Sequence, residues 1–508
     1  MNASTSLTWF ARHELTLAWR DWAQMMAGGR TTRERLVTAI AFVFVALLHG
    51  FAYVIVAPIL AGGALPGKET LVVLTASLLL TFSMMLSQAI EQVTRAFYAR
   101  ADLDLILSSP APARDLFAVR IAAIALTGAL MASLLAAPFI NMAAAVDGAR
   151  WLSAYVVILA MSAAATGLSV IASVSMFRLI GPKRTRLAAQ ILAAVVGATL
   201  LIGIQAAAVV TYGNLSRMQV LQSSAVLNAA PDANSLVWLP AKALLGDSSA
   251  ALSLVAFAAL FLAGVIRIYA SRFGDHAIAA AGVSDSYATA IKSKRAFRRR
   301  STMQALRAKE WTLLARDPWL MSQTLMQVLY LIPPALLLWR DMGEDTQVQA
   351  ILAPVLVMAF GQLSGGLAWL AISGEDAPDL VLTAPVTEPA LRRAKNEAVL
   401  AVIAAGALPF LIGLVFISPW GAAMTGLGIV LASSSAILIQ LWFRVTARRS
   451  QFRRRQTASR AATFAEAFSS ISWAGAAGFA AAQSWFAVVF VVFALIALAI
   501  ARAISPRA

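Results

Sequence analysis

The chain has 508 residues, of which 60% are hydrophobic and only 13% are charged, and its mean hydropathy is +0.77. This composition excludes a soluble globular domain. The formal net charge is +17 and the chain contains no cysteine, which excludes disulfides, thiolate zinc sites and a cysteine nucleophile.

Runs of about twenty apolar residues recur along the whole chain, and each is long enough to cross the roughly 30 Å hydrocarbon core of a bilayer as a helix. The runs lack the alternation of barrel strands, so the predicted fold is an all-α polytopic membrane protein with about 12 transmembrane helices. The first six spans are predicted at residues 36–60, 70–90, 118–145, 151–176, 187–212 and 249–269. The second six are predicted at residues 320–339, 349–373, 396–418, 420–443, 463–481 and 485–504. Because only Ala480 to Ser484 separate the last two, a total of eleven spans is the alternative.

The basic residues predict the orientation of these spans. Of the 41 Lys and Arg residues, all but five fall on the same side of the membrane as the N-terminus. This bias predicts that both termini are cytoplasmic and that the protein lies in the cytoplasmic (inner) membrane. No base-reading module accompanies the clusters Lys292 to Arg300 and Arg444 to Arg460, so we interpret them as loops beside anionic lipid rather than as nucleic-acid sites. The five exceptions are Lys68, Arg150, Arg217, Lys242 and Arg340.

Two segments of the chain repeat each other just before the first and seventh spans. Glu14 to Trp22 matches Glu310 to Pro318, with Glu, Thr, Leu, Arg and Asp at identical spacing. The apolar stripe of the first copy predicts a helix that lies in the membrane interface. The charged residues that match in this way are Glu14, Arg20 and Asp21 in the first copy and Glu310, Arg316 and Asp317 in the second.

A second pair of matching segments follows the second span of each half. Asp104 to Pro110 matches Asp379 to Pro385, and a short charged stretch comes after each proline. Both segments lie in predicted cytoplasmic loops, and each is interpreted as a short helix that can dock a partner. A single such loop would more simply connect two spans. Two chemically matched copies favour a partner of the same kind for each half.

In the order of these features the chain resembles the permease subunits of ABC transporters of the type-2 exporter class. The resemblance implies two fused six-helix domains, at residues 1–272 and 306–508, joined by a basic cytoplasmic linker at residues 273–305. It also implies an N-terminal elbow helix and a cytoplasmic coupling helix in each domain. The elbow helices would be the segments of Glu14 and Glu310, and coupling to an ABC ATPase partner would use Asp104, Leu107, Pro110, Arg114, Asp379, Leu382, Pro385 and Arg392.

The resemblance further implies that this chain is a transport component and not an enzyme. It would bind no cofactor, while ATP and Mg would be bound by a separate ATPase subunit present in two copies. One near match to a phosphate-binding loop, Gly62 to Glu69, has glutamate where the motif needs a hydroxyl and has no strand before it. The longest soluble segment, about residues 270–318, is also too short for a nucleotide-binding domain.

In the resembled class, the second and fifth spans of each domain approach the transport pathway. The polar residues that could line it here are Ser77, Thr81, Gln88, Gln205 and Gln362. The alternative is that they pack helices through interhelical hydrogen bonds, as the Gly361 and Gly365 pair is expected to pack. A largely uncharged pathway favours a small amphipathic or lipid-like cargo.

Few ionisable residues fall inside the predicted spans, and His49 and Glu466 are the clearest. A proton-driven carrier usually needs more of them, because a charge at the bilayer centre costs about 2.5–3.5 kcal/mol. The alternative function is an ion-coupled 12-helix secondary transporter. A lipid-modifying transferase would need clustered acids or histidines, and the three histidines of the chain are scattered.

Overall fold

The computed structural model describes residues 8–9, 12–13, 16, 34–61, 67–98, 113–213, 216–270, 301–316, 329–340, 348–373, 381, 383–443 and 460–505. Every regular element among these residues is a helix. Nine helices in the described part of the chain are long and apolar enough to cross a membrane. The chain is therefore an all-helical, multi-pass membrane protein, as the composition predicts. The count of twelve spans stays a prediction.

The helices of the first part of the chain are long and apolar, apart from three short ones in the segment 216–247. Their bounds are α1 (Glu34–Ala61), α2 (Lys68–Tyr98), α3 (Ala113–Asp147), α4 (Ser153–Tyr212), α5 (Arg217–Leu221), α6 (Ser224–Ala229), α7 (Leu239–Leu244) and α8 (Ser248–Tyr269). Short 3-10 turns at Ala149–Leu152 and Leu236–Trp238 precede α4 and α7.

The second part of the chain begins with a more polar helix and continues with apolar ones. The bounds are α9 (Thr302–Arg316), α10 (Ile332–Arg340), α11 (Val348–Ser373), α12 (Glu388–Ile417), α13 (Pro419–Trp442), α14 (Arg460–Ala481) and α15 (Phe486–Ile504). Helices thus lie at the predicted positions of all the spans, although α10 covers only the end of the seventh.

The chain divides into two compact units. One contains Met1–Ile204 and Ser216–Ile291, and the other contains Gln205–Leu215 and Lys292–Ala508. The predicted linker at 273–305 lies mostly outside the described residues, so the predicted domain boundaries stay predictions.

Helix α4 is bent at Gly181, which divides it into two limbs. The glycine has a φ of +74°, and Pro182 follows it. Only glycine adopts this left-handed conformation at little cost, and proline cannot donate the next helical hydrogen bond. The bend therefore separates the predicted fourth and fifth spans without a loop.

The core of the first unit forms around the first limb of α4. Of the 18 most apolar consecutive residues in this limb, 61% are buried, whereas the corresponding share in α3 is 22%. At the end where α3 begins, Leu116, Phe117 and Ile121 pack against Val170 and Val174 of α4.

The segment 216–247 folds against the start of α2. The Trp238 side chain is 3% exposed and packs with Leu71 and Val72, and its indole Nε1 donates to the Asp232 carbonyl at 2.9 Å. Asp247 then caps α8, accepting from the Ser249 and Ala250 amides. The Ser249 hydroxyl also donates to this carboxylate, at 2.7 Å. This bond has the largest effect, and together with the amide bonds it holds the pKa of the Asp247 carboxyl below its usual range.

The core of the second unit lies around α11. Of the 18 most apolar consecutive residues in this helix, 72% are buried, whereas the corresponding share in α15 is 11%. Leu356, Phe360 and Leu367 of α11 are almost fully buried, in a cluster with residues of α12, α13 and α14. Helix α11 is therefore central, while α15 turns most of its apolar surface outward.

The last apolar stretch of the chain forms two helices, α14 and α15. Residues 482–485 form a turn between them, and Gln483 has a φ of +54°. Phe479 of α14 stacks on Phe490 of α15, with ring centroids 5.2 Å apart. The two helices therefore form an antiparallel hairpin, which is the arrangement that a count of twelve spans requires.

Candidate functional site

A buried ion pair joins α9 to α12 in the second unit. Glu310 of α9 is 1% exposed and Lys395 of α12 is 5% exposed, and the Lys395 Nζ lies 3.3 Å from the Glu310 Oε1. Lys395 also donates to the carbonyl oxygen of Ala371, near the end of α11. The same Glu310 oxygen lies 3.2 Å from the Nζ of Lys309. One carboxylate and one ammonium thus connect three helices at one end of the unit.

A second set of ion pairs lies beside the buried one and is more exposed. The Glu397 carboxylate accepts from Arg307 Nε at 2.7 Å and from Arg393 Nε at 2.9 Å. Arg307 belongs to α9, whereas Glu397 and Arg393 belong to α12. The two helices are therefore held together by charges both inside and at the surface of their contact.

The predicted coupling residues Pro385 and Arg392 lie next to this contact, and both are exposed. Pro385 precedes the start of α12 by three residues. Arg392 Nη2 donates to Glu388 Oε1 at 2.7 Å within the first turns of that helix. None of the residues 383–393 is buried, and this segment contains the start of the helix that carries Lys395.

The equivalent end of the first unit has the same local layout. Helix α3 begins three residues after Pro110, as α12 begins three residues after Pro385. The tenth residue after each proline is a buried cation, Arg120 in α3 and Lys395 in α12, which are 3% and 5% exposed. The predicted coupling residue Arg114 is exposed, and its Nε lies 3.5 Å from Oδ1 of buried Asp115.

The comparisons with known proteins give no family. The chain matches no protein-family model, no curated protein and no solved structure. The resemblance to ABC permeases is therefore carried by the residues quoted above and by nothing else.

Several of the predicted site residues lie outside the described part of the chain. Arg316 is within α9, but its side chain is not described. Those outside the described residues are Glu14, Arg20, Asp21, Asp104, Leu107, Pro110, Asp317, Asp379 and Leu382.

The predicted pathway residues Ser77, Thr81 and Gln88 share one face of α2. The Ser77 and Thr81 hydroxyls donate to carbonyls one turn earlier in their own helix, at 2.8 Å and 2.9 Å. Gln88 is exposed, as is Gln362 of α11, while Gln205 of α4 is half-buried. These three α2 residues therefore form one stripe, and the hydrogen bonds that the Ser77 and Thr81 hydroxyls donate lie within α2 itself.

The polar contacts between helices of the second unit involve other residues. The Ser364 hydroxyl of α11 donates to that of Ser433 in α13 at 2.7 Å. Gln440 of α13 donates to the carboxylate of Glu466 in α14. Glu466 was predicted as an ionisable residue inside a span, whereas its partner Gln440 was not predicted as a site residue. Gln440 is four residues before the basic cluster that follows α13, and nothing in its local pattern distinguishes it.

Lys395 is the most informative residue that the sequence analysis left out of its predicted site. A signal was present, since Ala394, Ala398 and Val399 surround it at helical spacing and all three are buried. A lysine on the apolar side of a helix indicates either a snorkelling side chain or a buried pair. Only the tertiary contact with Glu310 distinguishes these two.

Proposed function

We propose that this chain is the transmembrane permease of an ABC exporter, with two six-helix domains in one polypeptide. It would move a small amphipathic or lipid-like cargo across the cytoplasmic membrane by alternating access. ATP hydrolysis would take place in separate nucleotide-binding subunits, of which two copies would bind the cytoplasmic ends of the two domains. Both termini would be cytoplasmic.

The observation that carries this proposal is the buried pair Glu310–Lys395. It supports a mechanical role for the repeated segments because it joins the predicted elbow helix to the helix that follows the predicted coupling segment. A connecting loop would have no need for such a link. Arg120, which is buried at the matching position of the first unit, supports the same role there.

The proposed mechanism transmits force through these ends. Closure of the ATPase dimer would push the predicted coupling segments, at residues 102–120 and 377–395. Because α12 is bonded to α9 and α11, the displacement of one segment would move three helices together. Rigid movement of packed helices between two arrangements is the usual basis of alternating access.

The test replaces the apolar residue at the centre of each predicted coupling segment. The double variant Leu107→Asp, Leu382→Asp should insert and fold normally yet lose most of the ATPase stimulation by cargo, because an apolar contact with the partner is replaced by two charges. Transport in vesicles and ATP hydrolysis would be measured on the complex. The matched control is Leu135→Asn in α3, whose side chain is 81% exposed on the apolar surface. Full coupling in the double variant would exclude these segments as the contact with an ATPase.

Co-purification separates this proposal from the ion-coupled secondary transporter. An ATPase with a phosphate-binding loop, retained on the chain in mild detergent, is the expected result. Uptake driven by a proton gradient in vesicles that contain only this chain would instead favour the secondary transporter.

A further inference from the structure

Three polar side chains form a hydrogen-bonded chain across three helices of the first unit. Tyr155 of α4 donates its hydroxyl hydrogen to Asn141 Oδ1 at 2.8 Å. Asn141 Nδ2 of α3 lies 3.3 Å from His49 Nε2 of α1, and His49 Nδ1 lies 2.8 Å from the Val45 carbonyl oxygen. His49 is twelve residues before the end of α1, which is about 18 Å along the helix.

The Val45 carbonyl at one side of His49 and the Asn141 amide nitrogen at the other determine which ring nitrogen carries the hydrogen. A carbonyl oxygen can only accept, so His49 Nδ1 must carry a hydrogen that it donates to Val45. The Asn141 amide nitrogen can only donate, so the Nε2 of His49 must be bare and accept from it. All three hydrogen bonds can therefore form together only when His49 is neutral and has its hydrogen on Nδ1.

We propose that His49 is a proton-binding site, and that binding of a proton reverses the direction of the hydrogen bonds between His49, Asn141 and Tyr155. A proton on Nε2 would face the NH2 group of Asn141, and two donors cannot bond each other. Rotation of the Asn141 amide by half a turn removes the conflict, because Oδ1 then accepts from His49 and Nδ2 donates to the oxygen of Tyr155. The Tyr155 hydroxyl hydrogen is displaced and must find another acceptor.

The reversal would link protonation of His49, inside the apolar helix α1, to the hydrogen bond of Tyr155 at the start of α4. Tyr155 is only two residues after the first residue of α4, whereas His49 lies well inside α1. A donor without an acceptor is costly in apolar surroundings. The hydrogen bonds through Asn141 therefore adopt one of two discrete arrangements and no intermediate one. The proton would thereby alter the contact of α1 with α3 and the bonding of Tyr155 together.

The charged and titratable groups on the facing parts of these helices are few among the residues that the structure describes. Tyr53 lies one turn after His49 on α1, and Tyr155 belongs to the chain itself. Asp147 ends α3, and its carboxylate is bonded to Arg150 and to the Trp151 indole. Asp147 is thus already occupied, which leaves the Asn141 amide as the group that responds to the proton.

The test is nitrogen NMR of the full chain in lipid bilayers, with label only in histidine. The variant His13→Gln, His276→Gln retains His49 as its single histidine. At high pH the spectrum should show one protonated nitrogen at Nδ1 and one bare nitrogen at Nε2, and on acidification Nε2 should gain a proton while Nδ1 keeps its own. The other neutral tautomer at high pH, or an Nε2 that stays bare down to the lowest pH at which the protein remains folded, would overturn the proposal.

A second variant tests the reversal itself. Tyr155→Phe removes the donor that holds Asn141 Oδ1, so the pH at which Nε2 of His49 becomes protonated should differ from that of the parent protein. The matched control is Tyr53→Phe, which removes a hydroxyl outside this hydrogen-bonded network and should leave that pH unchanged. An equal response of both variants would overturn the reversal. The experiment needs no ATPase, so its result is independent of the proposed exporter function.

Discussion

Lys395 and Arg392 are three residues apart on α12, yet their charges have very different surroundings. The Lys395 side chain is 6% exposed and faces Glu310, which is 1% exposed. Arg392 and its partner Glu388 are 49% and 59% exposed. Removal of one partner from a buried pair leaves a charge without compensation, whereas an exposed pair is screened by water. The two residues should therefore differ sharply in their effect on stability.

Replacing Lys395 with methionine should lower the stability of the second unit by roughly 3 kcal/mol, because Lys309 is then the one cation left beside Glu310 among the described residues. The measurement is the thermal unfolding midpoint of the purified chain in mild detergent. Arg392→Met is the control and should change the free energy of unfolding by less than about 1 kcal/mol.

The double variant Lys395→Met, Glu310→Leu completes this comparison. Because it removes both charges, it should recover much of the stability that Lys395→Met loses. Equal stability of the wild-type chain and the Lys395→Met variant would show that the pair does not hold α9 on α12.

At the scale of elements, the close contact of α11 with α14 depends on two glycines. A Cβ at Gly361 would lie 2.8 Å from the Ser470 hydroxyl oxygen, and one at Gly365 would lie 2.5 Å from Oε2 of Glu466. At either position a neighbouring side chain would have to shift, and at Gly361 the Cβ atoms of Ala432 and Ser470 also lie only 3.1 Å and 3.3 Å away. The Gly361 and Gly365 pair is therefore a packing contact, as the sequence analysis expected of a small-residue spacing.

Valine at Gly361 should push α14 away from α11 and lower the unfolding temperature clearly, since the neighbours are packed side chains of α13 and α14. Valine at Gly264 of α8 is the matched control, because no atom lies within 4 Å of a Cβ there. The expected result is a loss of stability in the first variant only, measured on both proteins in the same detergent. Equal unfolding temperatures for the two variants would contradict the packing role of Gly361.

At the scale of the whole molecule, the proposed topology assigns opposite sides of the membrane to two exposed segments. Ala233 lies in the segment 216–247, and Thr387 lies just before α12; both are exposed. The natural chain has no cysteine, so a single introduced cysteine reports its own location without further changes.

A membrane-impermeant maleimide should label Ala233→Cys in right-side-out vesicles and Thr387→Cys in inverted vesicles. This outcome follows from the bias of Lys and Arg toward the side of Thr387. Labelling of Thr387→Cys from the outside would reverse the orientation and remove the predicted coupling segments from the reach of a cytoplasmic ATPase.

Much of the secondary structure could be predicted because the bilayer restricts the choices. A run of apolar residues in lipid must satisfy its backbone hydrogen bonds internally, so each run indicates a helix from its length alone. This is why α2, α3 and α8 were predicted close to their observed positions. The split of the last stretch into α14 and α15 was left open, because a turn of four residues without proline or glycine gives little signal.

The sequence by itself determined the helical class, the membrane environment and the matched segments near Pro110 and Pro385, since these follow from hydropathy and local spacing. Only the tertiary structure decided which polar residues meet. Glu310 and Lys395 are 85 residues apart in the chain, and His49 and Asn141 are 92 apart. Such pairs depend on which helix faces lie together, and that is set by the packing of side chains from several helices at once.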